Sequence, residues 1–237
     1  MALIKYNLSY YAKTLKYIAP IIAFVIFFAF FYNQRGVPIW ETFYITSIAI
    51  FVVSSWISTS FVNAEDKTQQ YITKTHVKSE NKYHILKIAS ILVFMVPFYA
   101  LLIAYPMALG FFARNLAIGE VIVVVIIHFL ASLSGVAIGL FFNQDMHGDK
   151  SMMIPWQLTV TLVVAVPFER IFSENIFVRI AAYALPPLNF LGERMNALGD
   201  GSFAIDGNFL LFAVYSLGYS LVLVGVYVLM IRKRSKR

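Results

Sequence analysis

Long apolar runs alternate with short polar breaks along the chain, and six of the runs approach the length of a membrane span. They are Tyr17–Tyr32, Thr42–Val62, Ile88–Phe112, Val121–Phe142, Ser151–Phe168 and Phe209–Ile231. A helix of about 20 residues crosses a hydrocarbon core of about 30 Å. Tyr17–Tyr32 is short and is expected to reach back through the preceding turn, while Ser151–Phe168, at 18 residues, is marginal. The runs are continuous rather than alternating with a period of two, which predicts helices and not barrel strands. The expected fold class is therefore an all-α integral membrane protein. It is a single transmembrane domain over residues 1–237 with six transmembrane helices.

The polar breaks differ in length and character. In residues 1–16, Ile4, Leu8, Tyr11 and Leu15 recur at helical spacing, with Lys5, Ser9, Lys13 and Lys16 on other sides. That pattern predicts an N-terminal amphipathic helix lying in the membrane interface. The break at 63–87 carries five lysines, Glu65, Asp66 and Glu80, with Tyr71, Ile72 and Val77 spaced between them. Such a loop either forms short helices along the membrane face that meet a partner, or is simply a solvated charged loop. The connection over 169–208 contains an apolar stretch, Ile176–Leu185, too short to span and ended by Pro186 and Pro187. It predicts short extracellular helices between spans five and six. The sequence Gly199-Asp200-Gly201 predicts a turn.

Composition removes the alternatives. Of 237 residues, 60% are hydrophobic and only 13% charged, and the mean hydropathy is +0.75. A soluble domain of this size cannot hide that much apolar surface. There is no cysteine, so no disulfide, thiolate nucleophile or cysteine metal site exists. The net charge of +7 is a topology signal rather than a nucleic-acid signal. With the N-terminus inside, 14 of the 19 basic residues fall on the inner side, including the 232–237 tail. This predicts a multi-pass protein of the cell membrane with both termini cytoplasmic. No small-residue cleavage site follows the first run, so no cleaved signal peptide is expected.

Catalytic and cofactor motifs are missing. No G-x-x-x-x-G-K-[ST] loop occurs, and Gly148-Asp149-Lys150-Ser151 lacks the required glycine spacing. Neither H-E-x-x-H nor G-x-S-x-G is present, and His76, His84, His128 and His147 never stand at i, i+4. The chain itself is therefore expected to be no enzyme, with no catalytic residue, no metal site and no cofactor.

Two spans carry polar groups. His128, Ser132, Gly135 and Gly139 share one face of the fourth run, which is either a packing face or a proton or substrate contact. The second run holds Thr42, Thr46, Ser47, Ser54, Ser55, Ser58, Thr59 and Ser60. A band this dense faces protein or a polar cavity, and helix packing and path lining both remain open. Candidate path residues are Thr46, Ser47, Ser54, Ser58, His128 and Ser132. Pro155 and Pro167 bracket the fifth run and can bend it.

The 65–87 loop resembles that of ABC transporter permeases of the type-2 exporter class. In that family an acidic residue follows the second span, a short coupling helix comes next, and a lysine opens the third span. Glu65 matches the acidic position, Tyr71-Ile72 the apolar end of the helix, and Lys87 the lysine. The chain departs from many relatives in having Thr75-His76-Val77 where they carry a proline. The resemblance implies a cytosolic ABC ATPase partner that binds ATP and Mg. Its docking surface would be the coupling segment with Glu65, Asp66, Lys67, Gln70, Tyr71, Ile72 and Lys74. It also implies a second permease copy or paralogue, the lipid bilayer as surroundings, and outward movement of an amphipathic or hydrophobic substrate such as a peptide. The alternative is an ion-coupled secondary transporter or channel using His128. No convergent acid, base or metal set supports a membrane enzyme.

Overall fold

The computed structural model describes residues 2–144, 153–165, 185–190 and 192–235. Nine α-helices are found among the described residues: α1 (Ala2–Thr14), α2 (Ile18–Phe31), α3 (Ile39–Val62), α4 (Lys67–Val77), α5 (Glu80–Ala108), α6 (Ile118–Gly139), α7 (Met153–Ala165), α8 (Gly192–Leu198) and α9 (Gly207–Ser235). Short 3₁₀ turns follow α6 at Leu140–Phe142 and precede α8 at Pro187–Asn189. The all-helical class expected from the apolar runs is what the described residues form. Four helices, α3, α5, α6 and α9, are long and apolar enough to cross a membrane. Counting α1 with α2 as one broken span, bent by 82°, gives a fifth. The 13 described residues of α7 are apolar but shorter. The chain is thus a multi-pass helical membrane protein.

The core is the α3–α6 pair. Within their apolar windows both helices are 72% buried, against 39% for α5 and 22% for α9. Two glycines allow this close approach. A Cβ on Gly135 would stand 2.3 Å from the Phe51 backbone oxygen, and one on Gly139 2.3 Å from that of Ser55. The backbones are as close as the absence of side chains permits.

Several boundaries differ from the sequence expectation. The third apolar run was expected to open at Ile88, but its helix α5 opens at Glu80. The Ser79 hydroxyl caps it by accepting from the Lys82 N–H at 3.4 Å. Lys87 therefore lies two turns inside the helix rather than at its start. Leu15 does not belong to the apolar face of α1. It takes φ +57° just past the helix end and is 58% exposed, so the chain turns there before α2. The buried positions of α1 are Asn7 and Tyr11. Asn7 donates to Ser90 Oγ at 3.1 Å, and the Tyr11 hydroxyl is bonded to Ser60 Oγ. The N-terminal helix is therefore fixed to α3 and α5 by polar contacts as well as by an apolar stripe.

Pro106 removes an N–H inside α5 and frees the carbonyl of Leu102. The Tyr32 hydroxyl, from just past α2, donates to that carbonyl at 3.4 Å. The turn predicted at Gly199–Gly201 is present, with Gly199 at φ +52° and Gly201 N–H bonded to Leu198 O at 2.7 Å. The Ile176–Ala184 part of the short extracellular stretch, Pro167, Lys150, His147 and the Gly148–Lys150 sequence lie outside the described residues.

Candidate functional site

The expected coupling segment folds as α4. Asp66 caps its start by accepting from Gln69 N–H at 2.8 Å, and Lys78 at φ +57° ends it in the left-handed region. The helix is amphipathic and lies along the end of the bundle where α1 also sits. Thr73 faces inward and is buried, while Tyr71 and Ile72 point out at 74% and 44% exposure. Lys67, Lys78 and Lys82 are exposed as well, and Lys74 is half-buried. Exposed tyrosine and isoleucine on a helix that also carries Lys67 and Lys74 form a surface that an apolar pocket with an acidic border complements.

Two contacts seat α4 on its neighbours. Gln69 Nε2 donates to the Tyr6 hydroxyl of α1 at 2.7 Å. Gln70 Nε2 donates to the Glu65 backbone oxygen at 3.1 Å. A third contact runs from Lys74, whose Nζ sits 5.6 Å from the centre of the Tyr83 ring.

Beneath α4 lies a buried charged cluster. Glu65 and Lys87 are each 4% exposed, and Tyr83 is 1% exposed. Lys87 Nζ donates to Glu65 Oε2 at 2.7 Å, and the Tyr83 hydroxyl donates to the same oxygen at 2.5 Å. Lys87 Nζ also donates to the Tyr83 hydroxyl at 2.9 Å. An ion pair in this setting is sustained only when the remaining polar atoms are also bonded. Among the described residues Glu65 Oε1 has no hydrogen-bond partner, and both side-chain donors to the carboxylate meet Oε2. Glu65, expected among the coupling residues, is buried under α4 with its carboxylate turned toward α5. Of the expected coupling residues, Asp66 and Lys67 are exposed at the cap and first turn, and Tyr71 and Ile72 form the outward row. Gln70 and Lys74 face the bundle side.

The candidate path residues gather in the α3–α6 seam. His128 is fully buried. Its Nδ1 lies 2.8 Å from Val124 O and its Nε2 3.0 Å from Thr46 Oγ1, with Phe43 edge-on at 5.9 Å. Since a carbonyl only accepts, Nδ1 carries a proton, and Nε2 meets the Thr46 hydroxyl, which also reaches the Thr42 carbonyl of its own helix at 3.0 Å. Ser54 Oγ donates to Ser132 O at 3.1 Å, and Ser58 Oγ to Val136 O at 3.0 Å. Thr59 Oγ1 donates to Gly139 O at 3.0 Å. Ser55 Oγ meets Thr161 Oγ1 of α7 at 3.1 Å and accepts from Gln157 Nε2 at 2.7 Å. Of the two readings left open for this band, the contacts made are those of helix packing. Ser47 differs, since it borders a small recess with Ser134, Leu188 and Ser216 that has room for about one water. The Ser132 hydroxyl is buried and faces that of Tyr99 on α5.

The opposite end of the bundle is tied by different chemistry. Arg114 forms a two-pronged pair with Glu120, both contacts at 2.8 Å, and also donates to the backbone oxygens of Asp200 and Gly201. The Glu120 carboxylate holds the Arg114 guanidinium above its ordinary range. Arg194 pairs with Asp206 at 2.5 Å and lowers its carboxyl below the usual value.

Tyr83 and Asn7 are the participants that apolar periodicity did not single out. The signal available for Tyr83 was its place one turn before Lys87, on the same helix face. Among the described residues no group of three or more His, Asp or Glu could hold a metal ion. No protein-family model matches the chain, and no curated protein matches it either.

Proposed function

We propose that the chain is the transmembrane permease subunit of an ATP-driven exporter, with α4 as the helix that receives a cytosolic ATPase. The observation that carries this reading is α4 itself. It is a separately capped helix at the basic end, with Tyr71 and Ile72 exposed on its outward row and its base anchored over the Glu65–Tyr83–Lys87 cluster. An isolated solvated loop has no reason to present an exposed Tyr–Ile pair from an anchored, capped helix. The resemblance of the 65–87 loop to type-2 ABC exporter permeases points the same way. The excess of basic residues in the segments that share the N-terminal side favours a cytoplasmic α4, with both termini inside.

In this reading α2, α3, α5, α6, α7 and α9 are the six spans. The permease is half of a transport unit and pairs with a second copy or paralogue. ATP and Mg bind in the ATPase, whose closure shifts α4 and switches the bundle between inward and outward access. The substrate is amphipathic or hydrophobic and moves outward. The ion-coupled alternative is less well supported, because both nitrogens of His128 are engaged within the α3–α6 seam.

The tagged chain, extracted from its native membrane in mild detergent, is expected to co-purify with ATP hydrolysis. The pair Tyr71→Asp and Ile72→Asp removes that activity while leaving the spans folded. Hydrolysis that persists in the variant, or its absence from the parent preparation, contradicts the proposal.

A further inference from the structure

Three elements meet on Tyr83. Its hydroxyl donates to Glu65 Oε2, three residues past the end of α3, and accepts from Lys87, one turn further along α5. Its ring carries the Lys74 ammonium of α4 at 5.6 Å and that of Lys87 at 5.2 Å. One side chain therefore touches α4 through a face and the ends of α3 and α5 through an oxygen.

We infer that Tyr83 is the positioning residue through which a displacement of α4 reaches the neighbouring ends of α3 and α5. The inference rests on α4 being the face that receives the ATPase, and it adds the residue that carries the movement and the route taken. The physical reason is the shortage of partners in the cluster. Among the described residues Glu65 Oε1 has no partner, so a Tyr83 that moved alone would leave the buried carboxylate with Lys87 as the remaining described side-chain donor at Oε2. Leaving a buried charge short of bonds is costly. Moving the cluster as a unit keeps every bond, so a pull on Lys74 is passed on rather than absorbed. Shared hydrogen bonds among ionised groups favour such all-or-none behaviour over gradual loosening.

The test is hydrogen exchange on the full chain in lipid nanodiscs, with no ATPase present. In the parent, amides of α4 and of the first turns of α5 open as one unit and exchange at matched protection. In Tyr83→Leu the α4 amides exchange about tenfold faster or more, while residues 80–88 change by less than about twofold. Lys74→Met, which keeps the phenol and its bonds, gives the same split. Tyr83→Phe keeps the ring face, so α4 stays with α5, and residues 63–66 are released instead. Equal acceleration of both segments in Tyr83→Leu marks an ordinary core residue and overturns the inference, as does an unchanged α4 in Lys74→Met. Should Tyr83→Leu fail to fold, Lys74→Met and Tyr83→Phe decide alone. Failure of the chain to co-purify with ATP hydrolysis defeats the docking reading separately, because the exchange measurement involves no partner.

Discussion

The α3–α6 seam and the Glu65–Tyr83–Lys87 cluster are both buried and polar, but they hold the protein together in opposite ways. The seam spreads its bonds along two helices. Ser54, Ser58 and Thr59 each donate to a carbonyl across the interface, and Gly135 and Gly139 let the backbones close up. No single hydroxyl is critical, because each accepting carbonyl belongs to a helix with its own internal bonds. The cluster instead concentrates two charges and one phenol at a point where α3, α4 and α5 converge. A seam of many weak bonds resists sliding and suits a static frame. A joint of few strong bonds fails all at once and suits transmission.

The sharpest way to break this contrast is to remove one charge. Glu65→Ala leaves Lys87 buried without its counter-ion and is expected to lower stability by about 3–5 kcal/mol. Unfolding in detergent, followed by loss of helical signal, measures it. The double variant Glu65→Leu with Lys87→Met is expected to lose less than Glu65→Ala, since no charge remains unpaired.

The next effect is steric. Gly139→Ala drives a methyl against the Ser55 backbone oxygen, with its Cβ at 2.3 Å. Backbone cannot rotate away, so the helices must part at an expected cost of about 2–3 kcal/mol. Gly218→Ala, on α9, has nothing within 4 Å and serves as the control with no such penalty.

Removing one hydroxyl from the seam is a small perturbation. Ser58→Ala is expected to cost about 0.6 kcal/mol, the mean for interhelical bonds in a membrane. A loss as large as that of Glu65→Ala would erase the distinction between distributed and concentrated contacts.

The smallest effect is a pH dependence at the opposite end. Asp206 pairs with Arg194 and caps α9 by accepting from Phe209 N–H at 3.0 Å. Arg194 holds its carboxyl below the ordinary value of 3.8. A depressed carboxylate contributes its stabilisation fully above the unfolded value and loses it as pH falls through the folded one. Amides 209 and 210, which bond to Asp206, are therefore expected to stay protected at neutral pH and to fray below about pH 4. Asp206→Asn removes that pH dependence, because the amide does not titrate there.

Much of this architecture is legible in the sequence, because a membrane solvent demands long apolar helices and the runs are continuous. α3, α6 and α9 fall where hydropathy puts them, each opening two or three residues early, and α6 gives way to a 3₁₀ turn at Leu140–Phe142 before its run ends. The extension of α5 back to Glu80 is invisible to hydropathy, since its added turns are polar and are set by the Ser79 cap. Leu15 fits the apolar spacing of α1, and only the turn into α2 shows that it has left the helix. His128 and the α3 hydroxyls were placed on the right faces, yet a face does not name its neighbour. Helix-on-helix proximity decided that they bond to carbonyls. Glu65 and Lys87 stand 22 residues apart. The family resemblance marks both, but only the fold pairs them and adds Tyr83.

The proposed occupant of the exposed α4 row is an ATPase. A photo-crosslinking amino acid at Ile72, in a chain whose lack of cysteine keeps thiol labelling free for a second reporter, reads that occupant in intact cells. The account predicts a covalent adduct with a nucleotide-binding subunit, lost when Tyr71 is replaced by aspartate. Adducts confined to lipid, or to another copy of this chain, contradict it.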